Sequence, residues 1–152
     1  MIALPLVTIE LSISDVDLPG EVTEFLEEAE SRISEFVRQH AVRPTGFVAS
    51  DSATVYRALR AITEANLSTG TTCCEWGSGL GVAASLASML GFQACGIEIE
   101  EALVEASRQL AADFELPVDF VHGSFVPAGA ESLAEESYTD NSSEFLWVVT
   151  DA

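Results

Sequence analysis

The segment TTCCEWGSGLG, residues 71 to 81, decides how the rest of this chain is interpreted. Its first residues are β-forming, and glycines follow at positions 77, 79 and 81, ahead of an apolar run from Val82 to Leu90. We therefore predict a strand, a tight turn and the start of a helix. Glycine permits positive φ, and the first amides of a helix point outward without partners. The turn is a candidate nucleotide-type site.

The spacing of these glycines differs from that of a dinucleotide-binding turn. Such a turn would need glycines at positions 77, 79 and 82, whereas residue 82 is Val and the third glycine stands at 81. An acidic residue, Glu75, lies two positions before the first glycine. These two features set the turn apart from a nicotinamide-binding one.

The charge of the chain is its main compositional anomaly. Among 152 residues, of which 48% are hydrophobic, Asp and Glu total 25 against six Arg and no Lys, so the formal net charge is −19. The length and hydrophobic content suit one globular domain. Because nucleic-acid affinity rests largely on Lys and Arg, we do not expect DNA or RNA as a substrate. Solubility or adaptation to salt explains the charge more simply than a basic partner does.

The positions of the cysteines and histidines argue against a metal site, and the lengths of the apolar runs argue against a membrane segment. The cysteines at 73, 74 and 95 have no C-x-x-C spacing, so we expect buried, reduced thiols and no metal site. His40 and His122 are far apart in sequence, and the second fits a hydrogen-bonded strand-end group. No basic region precedes the N-terminal apolar residues, and no apolar run reaches membrane-spanning length. We expect a cytoplasmic protein without a membrane segment.

Periodicity predicts two elements before the glycine turn. Alternation indicates a half-buried strand from Leu6 to Ile13, and helical spacing indicates a helix from about Pro19 to His40. A loop covers residues 42 to 50. A second helix then follows, for which Ser50 and Asp51 are candidate N-caps.

Beyond the glycine turn, strands and helices alternate. In order we predict a helix, a strand from Gln93 to Ile97 that ends in Glu98, a helix from Glu101 to Phe114, a strand from Pro117 to His122, a short helix around residues 132 to 136, and a buried strand from Phe145 to Thr150. This alternation predicts an α/β, Rossmann-like fold: a parallel sheet with right-handed crossovers and helices on both faces.

The carboxyl ends of these strands should form one crevice, because ligands of open parallel sheets bind there. The residues expected at that edge are Glu75 to Gly79, Glu98 and Ile99, Gly123 to Phe125, and Asp151. Glu98 follows Gly77 by 21 residues. That interval matches the roughly 20 expected for an acidic residue that bonds a ribose hydroxyl pair.

With these features, residues 45 to 152 resemble the class I S-adenosylmethionine-dependent methyltransferases. The resemblance rests on three segments, E-W-G-S-G-L-G, G-I-E-I-E and V-D-F-V-H-G-S-F. It implies a cofactor-binding domain over residues 45–152, with residues 1–44 as an N-terminal extension of one strand and one helix.

The resemblance also implies roles for single residues. Gly77 and Gly79 would pass close to the methionine part of S-adenosylmethionine, and Glu75 would hold its ammonium group directly or through water. Glu98 would accept from the ribose hydroxyls, and Ile99 would pack on the adenine face.

Other implied roles leave alternatives open. Ser124 stands where the family usually has an Asp that bonds the adenine amino group, so this contact would be uncharged. Phe125 is either an adenine-stacking ring or a core residue. Trp76 either lines the pocket or covers the sheet edge. Asp151 occupies a position where the family often has an acceptor-binding or deprotonating residue, and it is the candidate catalytic group.

The segment Gly46 to Tyr56 is similar to one that folds over the methionine end of the cofactor in several protein-modifying and small bacterial methyltransferases. Ser50, Asp51 and Tyr56 are therefore lid candidates, and the alternative is a helix cap with a packed tyrosine. Family members normally continue for three more strands beyond the position of Thr150. We expect either a fragment, which we favour, or a short protein whose sheet edge is covered by the N-terminal strand or a second subunit.

The leading hypothesis is an S-adenosylmethionine-dependent methyltransferase acting on a protein side chain or small molecule. The alternative is a non-catalytic S-adenosylmethionine-binding or dimerisation module, with a homodimer formed through the exposed sheet edge. A nicotinamide-dependent Rossmann enzyme is the third possibility.

Overall fold

The computed structural model describes residues 17–39 and 51–130. These residues form four helices and three strands, in the order α1 Gly20–Gln39, α2 Ser52–Glu64, β1 Thr72–Trp76, α3 Val82–Met89, β2 Gln93–Glu98, α4 Glu101–Asp113 and β3 Val118–His122. Each agrees with an element that the sequence predicts. The predicted elements at residues 6–13, 132–136 and 145–150 lie outside the described residues, as do Ser50 and Asp151.

The three strands form one parallel sheet in the order β1-β2-β3. Helix α3 connects β1 to β2, and α4 connects β2 to β3. The parallel sheet with helical crossovers confirms the predicted α/β, Rossmann-like fold. The carboxyl ends of all three strands therefore lie along one edge of the sheet, which we call the carboxyl edge.

Within the described part of the chain, helices cover one face of the sheet. On that face, Ala94 and Phe120 pack in one buried cluster with residues of α3 and α4, namely Ala84, Ala87, Val104 and Ala111. The opposite face, which we call the open face, carries the exposed side chains of Cys74, Trp76 and Val121. Helices on this second face remain a prediction.

The expected burial of all three thiols is wrong for Cys74, which is exposed, whereas Cys73 and Cys95 are half-buried. The cause is the alternation of side chains along a strand, which sends Cys73 toward the helices and Cys74 to the open face. A hydrophobic strand pattern does not say which face a neighbouring layer covers.

Helix α1 packs on α3 and α4, the two helices that cover the sheet. Its buried stripe of Val22, Phe25, Leu26 and Ala29 meets α3 and the end of α4. Phe25 contacts Phe114 edge to face, with ring centroids 5.2 Å apart. Burial of a side chain such as Phe25 stabilises the fold by about 2–3 kcal/mol. No helix within residues 17–39 and 51–130 is long and apolar enough to cross a membrane.

Candidate functional site

The glycine turn has the backbone that the sequence predicts. Gly77, Gly79 and Gly81 all have positive φ, at 66°, 54° and 70°. The amides of Gly77 and Ser78 both donate to the Ile97 carbonyl oxygen, at 2.9 and 3.0 Å. The turn after β1 is thereby fixed to the end of β2, so two strand ends act as one rigid unit.

The first and third glycines of the turn have different surroundings. A Cβ atom at Gly81 would lie 2.1 Å from a ring carbon of Phe120, so this glycine lets α3 pack closely on the sheet. A Cβ atom at Gly77 would meet only a ring carbon of Phe125, at 3.6 Å. The surface of the turn at Gly77 is therefore the part that a ligand can approach.

Glu98 joins the acidic end of β2 to the glycine turn. Its Oε2 accepts from the Gly79 amide at 2.8 Å, and its Oε1 accepts from the amides of Ile99 and Glu100 at 2.7 and 2.9 Å. The residue is 7% exposed. A carboxylate offers about four acceptor positions, so these bonds leave about one, on Oε2. Glu98 can therefore accept directly from one ribose hydroxyl rather than from both.

Glu75 lies on the helix-covered face and caps α3. The N-cap position of α3 is Gly81, which has no side chain to accept a bond, and Glu75 Oε2 accepts from the Ala84 amide at 2.9 Å instead. Burial, together with a smaller effect of the Glu98 charge, raises the pKa of Glu75 to about 7 against the opposing effect of the Ala84 and Ala83 amides. With two amides facing it, Glu75 keeps about two acceptor positions for a ligand.

An aromatic pair stands next to the turn. The rings of Trp76 and Phe125 are stacked, with centroids 5.7 Å apart and planes 12° from parallel. Trp76 is 59% exposed and Phe125 is 40% exposed, so Phe125 is not a core residue. Ile99, at the end of β2, is 64% exposed. The carboxyl edge thus offers flat apolar surfaces beside two carboxyl groups.

The polar residues at the end of β3 and in the turn after it, His122 and Ser124, are hydrogen-bonded. Ser124 Oγ accepts from the Val126 amide at 3.1 Å and lies 3.4 Å from the Val126 carbonyl oxygen. His122 Nε2 lies 2.9 Å from the Ile99 carbonyl oxygen, which fits the predicted strand-end role. This contact links the end of β3 to the end of β2. Because a hydroxyl oxygen has two acceptor lone pairs, Ser124 keeps one for a ligand.

The two described lid candidates fit the alternative interpretation. Asp51 is the N-cap of α2 and accepts from the Thr54 amide and hydroxyl at 3.1 and 2.8 Å. Tyr56 is 5% exposed and packs in the core beside Phe25 and Leu86. The structure therefore gives Asp51 a capping role and Tyr56 a packing role.

A cavity of about 660 Å³ lies between α1 and α4, lined by Arg32, Phe36, Gln109 and neighbouring residues, and by Leu80 of the glycine turn. Arg32 is already paired with Glu28 and Asp113, at 2.7 and 2.6 Å. The cavity contains neither carboxyl group of the carboxyl edge. Within the described ranges no cluster of three or more side chains could hold a metal ion.

Sequence reasoning missed the contacts that join these residues. The bond between Glu98 and the Gly79 amide, the capping of α3 by Glu75 and the stacking of Trp76 on Phe125 have no local signature. The interval of 21 residues between Gly77 and Glu98 was the one sequence signal that linked Glu98 to the turn.

No protein-family model matches the sequence, and no curated protein matches it. Several solved structures are similar in part, among them the following three. A tRNA (uracil-54, C5)-methyltransferase of Pyrococcus abyssi in complex with S-adenosyl-L-homocysteine is 22% identical, with a TM-score of 0.42 over 55% of this chain and 21% of that one. The PH0226 protein of Pyrococcus horikoshii OT3 is 21% identical, with a TM-score of 0.45 over 62% and 44%.

The third similar structure comes from work on the conversion of a disulfide bond into a thioacetal group during echinomycin biosynthesis. It is 23% identical, with a TM-score of 0.42 over 47% of this chain and 30% of that one. The chain therefore spans less than half the length of each of the three proteins, and the function proposed below rests on the residues of the carboxyl edge.

Proposed function

We propose that the carboxyl edge binds S-adenosylmethionine and that the protein transfers the methyl group to a protein side chain or a small molecule. The observation that carries the proposal is the contact of the Glu98 carboxylate with the Gly79 amide at 2.8 Å. It places an acidic strand end beside the glycine turn, and an acidic group in that position can bond a ribose hydroxyl.

The residues present fit this cofactor. Glu75 keeps acceptor positions for an ammonium group, and Glu98 keeps one for a ribose hydroxyl. Ile99 and Phe125 supply exposed apolar surface for the adenine, with Ser124 beside them. The sulfonium and ammonium groups of the cofactor are cationic, so the negative charge of the protein favours their binding.

The chemistry asks little of the protein beyond positioning. When bound, S-adenosylmethionine supplies a methyl group that is already activated, and the protein contributes by holding the acceptor in line with it. We assign the acceptor-binding or proton-accepting role to Asp151. The negative surface disfavours a nucleic acid as the acceptor.

Calorimetric titration of the full chain with S-adenosylmethionine and S-adenosylhomocysteine tests the proposal. We expect both to bind, and NADH not to bind. Glu75→Gln keeps an acceptor for the Ala84 amide but removes the charge that faces the ammonium group. A hydrogen bond to a charged group contributes about 1.5–3 kcal/mol, so this variant should weaken S-adenosylmethionine binding roughly ten- to 100-fold.

Glu30→Gln is the matched control, because Glu30 is exposed on α1 and loses the same charge away from the carboxyl edge. Its affinity should equal that of the unchanged protein. Absence of binding by both ligands refutes the proposal, and binding of NADH alone supports the nicotinamide-dependent alternative. Binding without methyl transfer to any acceptor supports the non-catalytic module.

A further inference from the structure

Two thiols face each other on the open face of the sheet. Cys74 in β1 and Cys95 in β2 are directly opposite in the parallel register. Both cysteines are free; Cys74 is exposed and Cys95 is half-buried. Cys73 lies next to Cys74 in the chain, but its side chain points to the helix-covered face. The strand register therefore places Cys74 and Cys95, of the three cysteines, opposite each other on one face of the sheet.

The spacing of this pair permits a disulfide. Neighbouring strands lie about 4.8 Å apart, and disulfides join Cα atoms separated by about 4.4–6.8 Å. Side chains of directly opposite residues stand parallel, so their Cβ atoms remain farther apart than the roughly 3.8 Å average of a relaxed disulfide. A disulfide here would be strained, and strained disulfides are reduced more easily than structural ones.

We propose that Cys74 and Cys95 are a thiol-modification site that a low-molecular-weight disulfide oxidises reversibly to an intramolecular disulfide. The thiolate of Cys74, the more exposed residue, attacks a sulfur of oxidised glutathione and releases one glutathione. The thiolate of Cys95 then attacks the Cys74 sulfur and releases the second glutathione. Two protein thiols are oxidised to one disulfide, their protons pass to the glutathione thiolates, and one oxidised glutathione is reduced to two molecules of glutathione.

The pair is connected to the aromatic residues of the carboxyl edge. Trp76 follows Cys74 by two residues in β1, so both side chains lie on the open face, and the indole ring stacks on Phe125. Oxidation of Cys74 changes the sulfur chemistry on the face that carries the indole ring. The fluorescence of Trp76 should therefore respond to oxidation, which gives a readout that does not depend on the proposed cofactor.

The ionisation of Cys74 sets the speed of the reaction. Desolvation and the Cys95 thiol raise the pKa of Cys74 to about 11, although the Trp76 indole lowers it. The other titratable groups nearby are Cys73 and Asp119, the residue opposite Cys95 in β3. Below that pKa the thiolate fraction rises about tenfold per pH unit, so oxidation should accelerate with pH. The dithiol should stay reduced at neutral pH unless an oxidant is supplied.

The test treats the full, reduced protein with oxidised glutathione, blocks the remaining thiols with N-ethylmaleimide, and analyses intact protein and peptides by mass spectrometry. We expect the loss of two hydrogen atoms, a peptide cross-linked through Cys74 and Cys95, and full reversal by reduced glutathione. Cys73→Ser should behave in the same way. Cys95→Ser should stop at glutathione bound to Cys74, because the second thiol is missing.

Fluorescence gives an independent check. In a Trp147→Phe background, Trp76 is the remaining tryptophan, and its emission should change on oxidation and recover on reduction. Three results would overturn the proposal: stable attachment of glutathione to Cys74 in the unchanged protein, a link between Cys73 and Cys74, or disulfides formed between chains. None of these results bears on S-adenosylmethionine binding, so the two proposals fail separately.

Discussion

The raised pKa of Glu75 makes a quantitative prediction about stability. Burial lifts this pKa from its usual value of 4.5 to about 7 in the folded protein. The folded state then binds the proton more tightly than the unfolded state does. The resulting stabilisation is fully present below pH 4.5 and is lost as the pH rises to about 7.

The magnitude follows from the size of this shift. One pKa unit corresponds to about 1.36 kcal/mol, so the free energy of unfolding should fall by about 3 kcal/mol between the two pKa values. Glu75→Gln cannot ionise, and its amide oxygen can still accept from the Ala84 amide. The free energy of unfolding of this variant should therefore not fall over this pH range. Above pH 7 the variant should be more stable than the unchanged protein.

Urea denaturation followed by circular dichroism, at intervals from about pH 4.5 to 8, measures the effect. The informative quantity is the difference between the two proteins, because every ionisable group other than residue 75 is common to both and cancels. Glu30→Gln, at an exposed position of α1, should follow the unchanged protein. If the curves of Glu75→Gln and the unchanged protein run parallel across this range, the burial argument for Glu75 is refuted.

Two further predictions concern the same edge of the sheet. Glu98→Gln should lower the free energy of unfolding by about 1–3 kcal/mol at neutral pH. The reason is that the NH₂ group of the glutamine must face either the Gly79 amide or the amides after β2. If urea denaturation shows the variant to be as stable as the unchanged protein, the observed bonds are contradicted. Gly81→Ala places a methyl group 2.1 Å from the Phe120 ring and should cost at least about 2–3 kcal/mol. Gly77→Ala has the same positive φ without that clash, and thermal melts should show it to be the more stable variant.

The sequence predicted the described elements because each has a clear periodic pattern between turn residues. Glycines at 70 and 91 and Pro117 lie close to the ends of elements, and the alternation of strands and helices implied a parallel sheet. The carboxyl edge was also predictable, since the strand ends of a parallel sheet share one edge. The acidic residues Glu75 and Glu98 were placed there correctly for that reason.

Residue type did not reveal how the side chains at this edge are used. Both acids were assigned to the cofactor, yet Glu75 also caps α3 and Glu98 also holds the Gly79 amide. Tyr56 was a candidate for the lid, and the structure packs it between helices. Such roles depend on neighbours from distant parts of the chain, which a local pattern does not specify.

The sequence by itself determined the order of the described elements and the edge of the sheet that carries Glu75 and Glu98, because periodicity and turn residues act over a few neighbouring positions. Only the tertiary structure decided that Gly81 serves packing while the surface at Gly77 stays open, and that Cys74 lies opposite Cys95. These outcomes depend on the register between strands and on which face the helices cover. Both are fixed by packing between segments that are distant in the chain, such as Cys74 and Cys95, 21 residues apart, and Gly81 and Phe120, 39 residues apart.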